Sequence, residues 1–198
     1  MKTILSQMPS WPAYIKGQDT LKIGYPWLAL GAILTLERLV QPTWRVLELG
    51  SGGSTLFWGR RCASVQSYET DRGWAERVRA AVKALKHVVV THCATVGAIA
   101  EQIASMPARS VDLVLVDHAD PERKAIGRNP NRRPLAEAVL PTLKPGGWLI
   151  VDNYDSFGMK EFDWSGFAKV FTFDEAGGIA PKSRRYSGRG TRLAQVAA

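Results

Sequence analysis

Val46-Leu47-Glu48-Leu49-Gly50-Ser51-Gly52-Gly53-Ser54-Thr55 decides how this chain folds. A short apolar run, interrupted only by Glu48, stops abruptly at glycines, as a buried parallel strand stops. Ser54 to Arg61 then resumes at helical spacing. The stretch therefore reads as strand, glycine turn, helix.

The same alternation continues outward. Val65 to Glu69 is a second strand candidate. Asp71 caps a helix that places Trp74, Val78, Ala81, Val82 and Leu85 along one face. Val88 to Thr91 is β-branched and short, a third strand. A helix over about Val96–Met106 is stopped by Pro107. Val111 to Asp117 is a buried strand. Leu135 to Leu143 reads as a helix whose end Pro141 kinks or shortens. Pro145-Gly146-Gly147 turns into a fifth strand, Trp148 to Val151. Strand and helix alternating at this spacing predict an α/β fold with a doubly wound, mostly parallel sheet and helices on both faces. In the tail, Lys169–Phe173 and Thr191–Val196 are strand-like without a helix between them. They should pair antiparallel at one edge, completing seven strands.

The 198 residues suit one domain, and no repeat or linker divides them. The expected parts are a lead-in and helix (1–43), a ligand-binding core (44–153), and the antiparallel strands with a basic loop (154–198). The lead-in holds Trp11, Pro12, Tyr14, Tyr25 and Pro26, which cover the open end of the sheet or pack on its core. Met1 to Tyr14 has no apolar run of signal-peptide length, and Leu28–Val40 is too short and too charged to span a bilayer. A cytoplasmic protein without a membrane partner is the default expectation. Cys62 and Cys93 form no metal-ligand spacing and read as reduced, buried thiols. The formal net charge is +8, with a pI near 9.7. Much of it lies in two segments, Arg123, Lys124, Arg128, Arg132 and Arg133, then Lys182, Arg184, Arg185, Arg189 and Arg192. Both look like solvated loops, and a nucleic-acid surface is the less favoured reading.

In a doubly wound sheet, ligands lie at the carboxyl ends of the strands near the switch in strand order, where Gly50–Gly53 falls. Glycines there let the backbone approach a ligand. Glu69 ends the second strand, at a spacing that suits a carboxylate accepting from both ribose hydroxyls of an adenosine group. Asp117 is a third strand-end acid. A nicotinamide dinucleotide site is the competitor, but its third glycine would fall at Thr55. Glu48 beside the turn also suits ammonium and sulfonium charges better than phosphates.

These residues, with Tyr68-Glu69, Val111–Asp117 and Leu143-Lys144-Pro145-Gly146-Gly147 through Asp152-Asn153, resemble a class I S-adenosylmethionine-dependent methyltransferase. The resemblance spans about residues 44–153 and implies a seven-stranded sheet with a reversed last strand. It places the methionine part of S-adenosylmethionine on the backbone around Gly50 and Gly52, the ribose on Glu69, and the adenine or reacting centre near His118. Glu48, Ser51, Ser54, Thr55 and Asp117 complete the expected cofactor set. One departure is His92-Cys93-Ala94-Thr95, where the family often carries an acid for the adenine amine.

Methyl transfer is an in-line displacement, so alignment carries much of it, and a base is needed only when the acceptor must lose a proton. Asp117, His118, Asp120, Asp152, Asn153 and Asp155 cluster after the fourth and fifth strands. His118, Asp117 and Asp152 are the catalytic candidates, with Asn153 and Arg123 toward the substrate. Asp117 with Asp152-Asn153 also resembles the Mg²⁺ ligands of catechol-type O-methyltransferases. Asp120 stands where that group has its lysine base, and the following loop is longer, so a metal is the less favoured reading. The loop Asp117-His118-Ala119-Asp120-Pro121 lacks the Asn/Asp-Pro-Pro-aromatic pattern of enzymes that methylate base nitrogens. The expected reaction is O- or N-methylation of a small or acidic acceptor. The alternatives are a non-catalytic module gripping nucleic acid and a nicotinamide-dependent oxidoreductase.

Overall fold

The computed structural model describes residues 19–119, 131–159, 161–174 and 190–198. The elements, in chain order, are α1 (Thr20–Ile23), α2 (Leu30–Leu39), β1 (Arg45–Leu49), α3 (Gly53–Gly59), β2 (Ser64–Glu69), α4 (Arg72–Val82), β3 (Val88–His92), α5 (Val96–Ala104), β4 (Val111–Val116), α6 (Arg132–Val139), β5 (Leu143–Asp152), β6 (Lys169–Phe173) and β7 (Thr191–Gln195). The seven strands form one sheet in the order β3-β2-β1-β4-β5-β7-β6. β1 to β5 run parallel, and β7 runs against both β5 and β6. The strand order reverses between β1 and β4, which sets the ligand crevice at their carboxyl ends.

Local chemistry accounts for the helix starts. Asp71 accepts from the Trp74 amide at 2.8 Å and Thr95 from the Ala98 amide at 3.1 Å, capping α4 and α5. Asp19 caps α1, which stops at Gly24 in the left-handed region (φ 64°). Alternate residues of the central strands feed a core on each face of the sheet, and Val90 of β3 joins a smaller cluster under α4. Val46, Val65, Leu113, Leu115 and Ile150 pack with Phe57, Trp58 and α2 on one face. Leu47, Leu49, Val114, Val116 and Leu149 pack with Ile99, Ile103, Leu135 and Val139 on the other. Only the end of the lead-in, from Asp19 on, is described. Tyr25 joins the first core against Phe57, with ring centroids 5.5 Å apart, while Thr20 and Trp27 border a cavity at the strand ends. Trp11, Pro12 and Tyr14 lie outside the described residues.

Three expectations need correction. The helix over Leu135–Leu143 begins earlier, at Arg132, while Pro141 shortens its end as expected, to Val139 before a 3-10 turn, Leu140–Thr142. Pro145-Gly146-Gly147 is not a turn before the fifth strand. It lies inside β5, whose pairing with β4 shifts register there. Pro145 has no N–H for the ladder, and Gly146 takes φ 73°, so the strand bulges and continues. Arg132, Arg133 and Arg192 are not loop residues: the first two open α6 and the third lies in β7. The other basic residues of those two segments lie outside the described residues.

Cys62 and Cys93 are buried, free thiols. Burial pushes the Cys62 thiol up to about 12 and raises that of Cys93, so both favour the unreactive thiol form. Among the described residues, no helix is long and apolar enough to cross a membrane.

Candidate active site

The turn after β1 is held by close backbone contacts. Gly50 has φ 93°, and a Cβ there would lie 2.7 Å from the Asp117 carbonyl oxygen and 2.8 Å from the His118 Cα. Glycine at 50 therefore lets the ends of β1 and β4 meet across the crevice. At Gly53 a Cβ would fall 2.2 Å from the Tyr25 carbonyl oxygen and 2.5 Å from that of Thr20, so α3 touches α1 and the turn after it backbone to backbone. Gly52 is the open position. Its Cβ would meet only Thr20 and Trp74, at 3.7 Å, beside a cavity of about 380 Å³. Ser51, Gly52, Gly53, Ser54, Trp74 and Asp117 line that cavity, with the Arg77–Asp19 ion pair (2.6 Å) at its rim.

Glu48 lies on the α3 side of the sheet, because alternate residues of β1 face opposite ways and Val46 faces α3. It is fully buried. Its Oε2 accepts from the Thr55 hydroxyl at 2.6 Å and the Ser67 hydroxyl at 2.7 Å. Thr55 Oγ1 in turn accepts from the Gly52 amide at 2.9 Å. One chain of hydrogen bonds thus ties the turn to β1 and β2. Burial raises the Glu48 carboxyl to about 7, against the pull of the Ser54, Thr55 and Ser67 hydroxyls. The side chains of Glu48 and Thr55 are therefore internal, whereas Ser51, Gly52 and Ser54 face the cavity. Thr55, standing where a dinucleotide turn would have its third glycine, holds this turn together.

Glu69, at the end of β2, is held by four donors. Oε2 accepts from the Ser51 amide and hydroxyl, both at 2.9 Å, and Oε1 from the Thr70 and Asp71 amides at 2.8 and 3.0 Å. Three donors are fixed amides and one is a rotatable hydroxyl. Trp74, read from the sequence as a core position of α4, donates its indole N–H to the Ser51 carbonyl at 2.7 Å. The Arg77 guanidinium stacks over its ring, 4.7 Å from the centroid. A second cavity of about 470 Å³ lies past β3, between the first turns of α5 and α6, lined by Ala94, Thr95, Val96 and Gly97 with Asn131 and Leu135.

Beyond β4 and β5, the structure brings Asp117, His118, Asp152 and Asn153 around Arg132. The guanidinium is buried. Its Nη2 donates to the His118 carbonyl at 2.8 Å and to Asp117 Oδ1 at 3.4 Å, and its Nη1 donates to the Asp152 carbonyl and to Asn153 Oδ1 at 3.3 Å. The Asp152 carboxylate accepts from neutral donors, the Thr191 hydroxyl at 2.9 Å and the Asn153 amide at 2.8 Å. Burial and the nearby Asp117 charge push its carboxyl well above the usual range, while Arg132 pulls it back. His118 is 1% exposed. Asp120 and Arg123 lie outside the described residues. Arg132 and Trp74 are among the groups that sequence reasoning did not assign to the site.

The profile of a family described as a methyltransferase domain matches residues 47–154, more than half of the chain. No curated protein sequence matches it. Among solved structures, the O-methyltransferase TomG from Streptomyces achromogenes, in complex with SAM, superposes with a TM-score of 0.63 at 18% identity, over 93% of this chain and 92% of that one. An O-methyltransferase from Bacillus cereus, in complex with SAH, gives 0.61 at 18% identity over 92% and 93%. An rRNA methylase from Streptococcus thermophilus gives 0.57 at 10% identity over 84% and 96%, so this fold alone does not set the acceptor. With the family's region running from the first strand through the glycine turn and Glu69 to the end of β5, the chain belongs to the methyltransferase-domain family.

Proposed function

We propose that this chain transfers a methyl group from S-adenosylmethionine to an oxygen or nitrogen of a small or acidic acceptor. The observation that carries the reading is the joining of the glycine turn to Glu69 at the crevice between β1 and β4, with a cavity against the turn. The residues fit the cofactor. Open backbone at Gly52 with Ser51 and Ser54 suits the methionine part. Glu69 suits the ribose, since rotation of the Ser51 hydroxyl would release one acceptor site while three amides keep the carboxylate aimed. The cavity lined by Ala94–Gly97 suits the adenine, whose polar edge would meet backbone groups, because Cys93 is buried and Thr95 is spent on capping α5.

When bound, S-adenosylmethionine supplies the methyl group as a sulfonium substituent. What this chain adds is alignment and charge. The crevice walls fix the direction of approach, and Asp117, 29% exposed at its side chain, places a negative charge beside the cavity. Asp152 is the group assigned to take the acceptor's proton, because its carboxylate lies at the end of β5 on this side and is held only by neutral donors. Of the two O-methyltransferases, one was crystallised with SAM and one with SAH, and each aligns over more than nine-tenths of its length, which supports S-adenosylmethionine as the donor.

Isothermal titration with S-adenosylmethionine and with S-adenosylhomocysteine tests the donor side. Saturable one-to-one binding is expected, and no binding by either ligand overturns the reading. Mass spectrometry across a panel of phenols, carboxylates and amines then identifies the acceptor atom.

A further inference from the structure

We propose that the Arg132 guanidinium is the resident cation of the acceptor side, filling the place a divalent metal would take between Asp117, Asp152 and Asn153. It is then a positioning residue that locks the ends of β4 and β5, and methyl transfer here needs no metal. The description of this region as the acceptor side rests on the function proposed above; the occupancy by Arg132 does not.

The fit of a metal fails on geometry. Mg²⁺ asks for several oxygens pointing at one centre, at about 2.0–2.1 Å. Here the oxygens that converge do so on guanidinium nitrogens: Asp117 Oδ1 and Asn153 Oδ1 at 3.4 and 3.3 Å, with the carbonyls of His118 and Asp152 completing the set. The Asp152 carboxylate bonds to Thr191 and the Asn153 amide, not to the guanidinium. Asn153 is held at φ 50°, so its side-chain oxygen reaches Arg132 while its amide reaches Asp152. Two carbonyls and two side-chain oxygens divided between Nη1 and Nη2 match the fork of a guanidinium, which fills the space a small ion would need. Arg132 is buried, so its charge is held in place rather than exchanged with solvent. It starts α6 and joins β4 to β5 through four contacts, which makes it a brace across the crevice floor.

The test is Mn²⁺ titration followed by electron paramagnetic resonance, on the full chain without added cofactor. The wild type is expected to take up no stoichiometric Mn²⁺. Arg132→Ser is expected to gain one site, at least tenfold tighter than any wild-type uptake, lost again in the double variant with Asp117→Asn and competed by guanidinium chloride at non-denaturing concentration. One equivalent of Mn²⁺ on the wild type, abolished by Asp117→Asn, overturns the inference. So does a folded Arg132→Ser variant that gains no site. Should Arg132→Ser not fold, the wild-type titration with its Asp117→Asn control decides alone. Cofactor binding is read separately by calorimetry, so a wild type that takes neither Mn²⁺ nor S-adenosylmethionine removes the proposed function and leaves this inference standing.

Discussion

Replacing Glu48 with glutamine should stabilise the protein at alkaline pH and change little at acid pH. The wild-type carboxyl is fully buried and titrates at about 7 instead of 4.5. Between those values the folded chain keeps a proton that the unfolded chain has released. The contribution to stability is therefore complete below pH 4.5 and is lost as the pH rises through 7. Each pH step in that window is worth about 1.4 kcal/mol, so the whole span is worth roughly 3 kcal/mol. Glutamine keeps an oxygen for the Thr55 and Ser67 hydroxyls and cannot ionise. Glu48→Gln should thus differ from wild type by less than about 1 kcal/mol at pH 5 and exceed it by roughly 3 kcal/mol at pH 8.5. The assay is urea denaturation at both pH values without cofactor, followed by tryptophan fluorescence, for which fully buried Trp58 provides a core signal. The same difference at both pH values, or a less stable variant at pH 8.5, would refute the argument that burial of Glu48 sets its protonation.

Gly50→Ala forces a side chain into φ 93° and within 2.7 Å of the Asp117 carbonyl. It should cost roughly 1–3 kcal/mol in strain alone, read as a lower urea midpoint with an unchanged slope. Glu69→Ala should weaken S-adenosylmethionine binding by roughly 1.5–3 kcal/mol, on the order of ten- to a hundredfold, measured by calorimetry. It also leaves the Ser51, Thr70 and Asp71 amides without their acceptor, so a midpoint loss should accompany it. Arg132→Met leaves the His118 and Asp152 carbonyls and the Asn153 side-chain oxygen without their donor and should destabilise by roughly 3–5 kcal/mol in thermal or urea unfolding. A variant as stable as wild type would show that the guanidinium braces nothing.

The core of the fold was legible because buried parallel strands carry a strong local signal. β4 is nearly all apolar and the Val46–Leu49 run of β1 is broken only by Glu48, the two stop before Asp117 and Gly50, and Asp71 marks a helix start by a mechanism that needs only neighbouring residues. What was not legible lay in face and in distance. Glu48 sits two residues from Val46, and parity along the strand turns both toward α3. Reading the apolar run without its alternation left Glu48 beside a ligand instead of under a helix. Trp74 has the spacing of a core residue, and its bond to the Ser51 carbonyl joins positions 23 residues apart. No local pattern announces such a pair. The extent of β5 was missed because Pro145 and Gly146 ordinarily end strands, and here they form a bulge that pairing on both sides carries through.

Arg132 is the most informative of these misses, since it breaks a local rule and keeps its place. Its surroundings, Asn-Pro-Asn before it and Arg133-Pro134 after it, have the composition of a solvated loop. Pro134 nonetheless fits the first turn of a helix, where its missing N–H has no partner to lose, so a start near Arg132 was open to a closer reading. The charge is harder to excuse. A cation in the first turn meets the positive end of the helix dipole, worth roughly 0.3–1 kcal/mol against it. Burial of an unpaired guanidinium would add several more. A solvated loop would never hold the residue there. It stays because oxygens from Asp117, His118, Asp152 and Asn153, 14 to 21 residues away in sequence, gather at one point only after β4 and β5 have paired. The local penalty is therefore offset by a constellation that the assembled sheet creates, and such conflicts between local and tertiary preference concentrate where a protein holds its working groups. On that reasoning the position of Arg132 at the start of α6, against the dipole and away from water, is itself an argument that the ends of β4 and β5 are the part of the crevice whose geometry this chain most needs to keep.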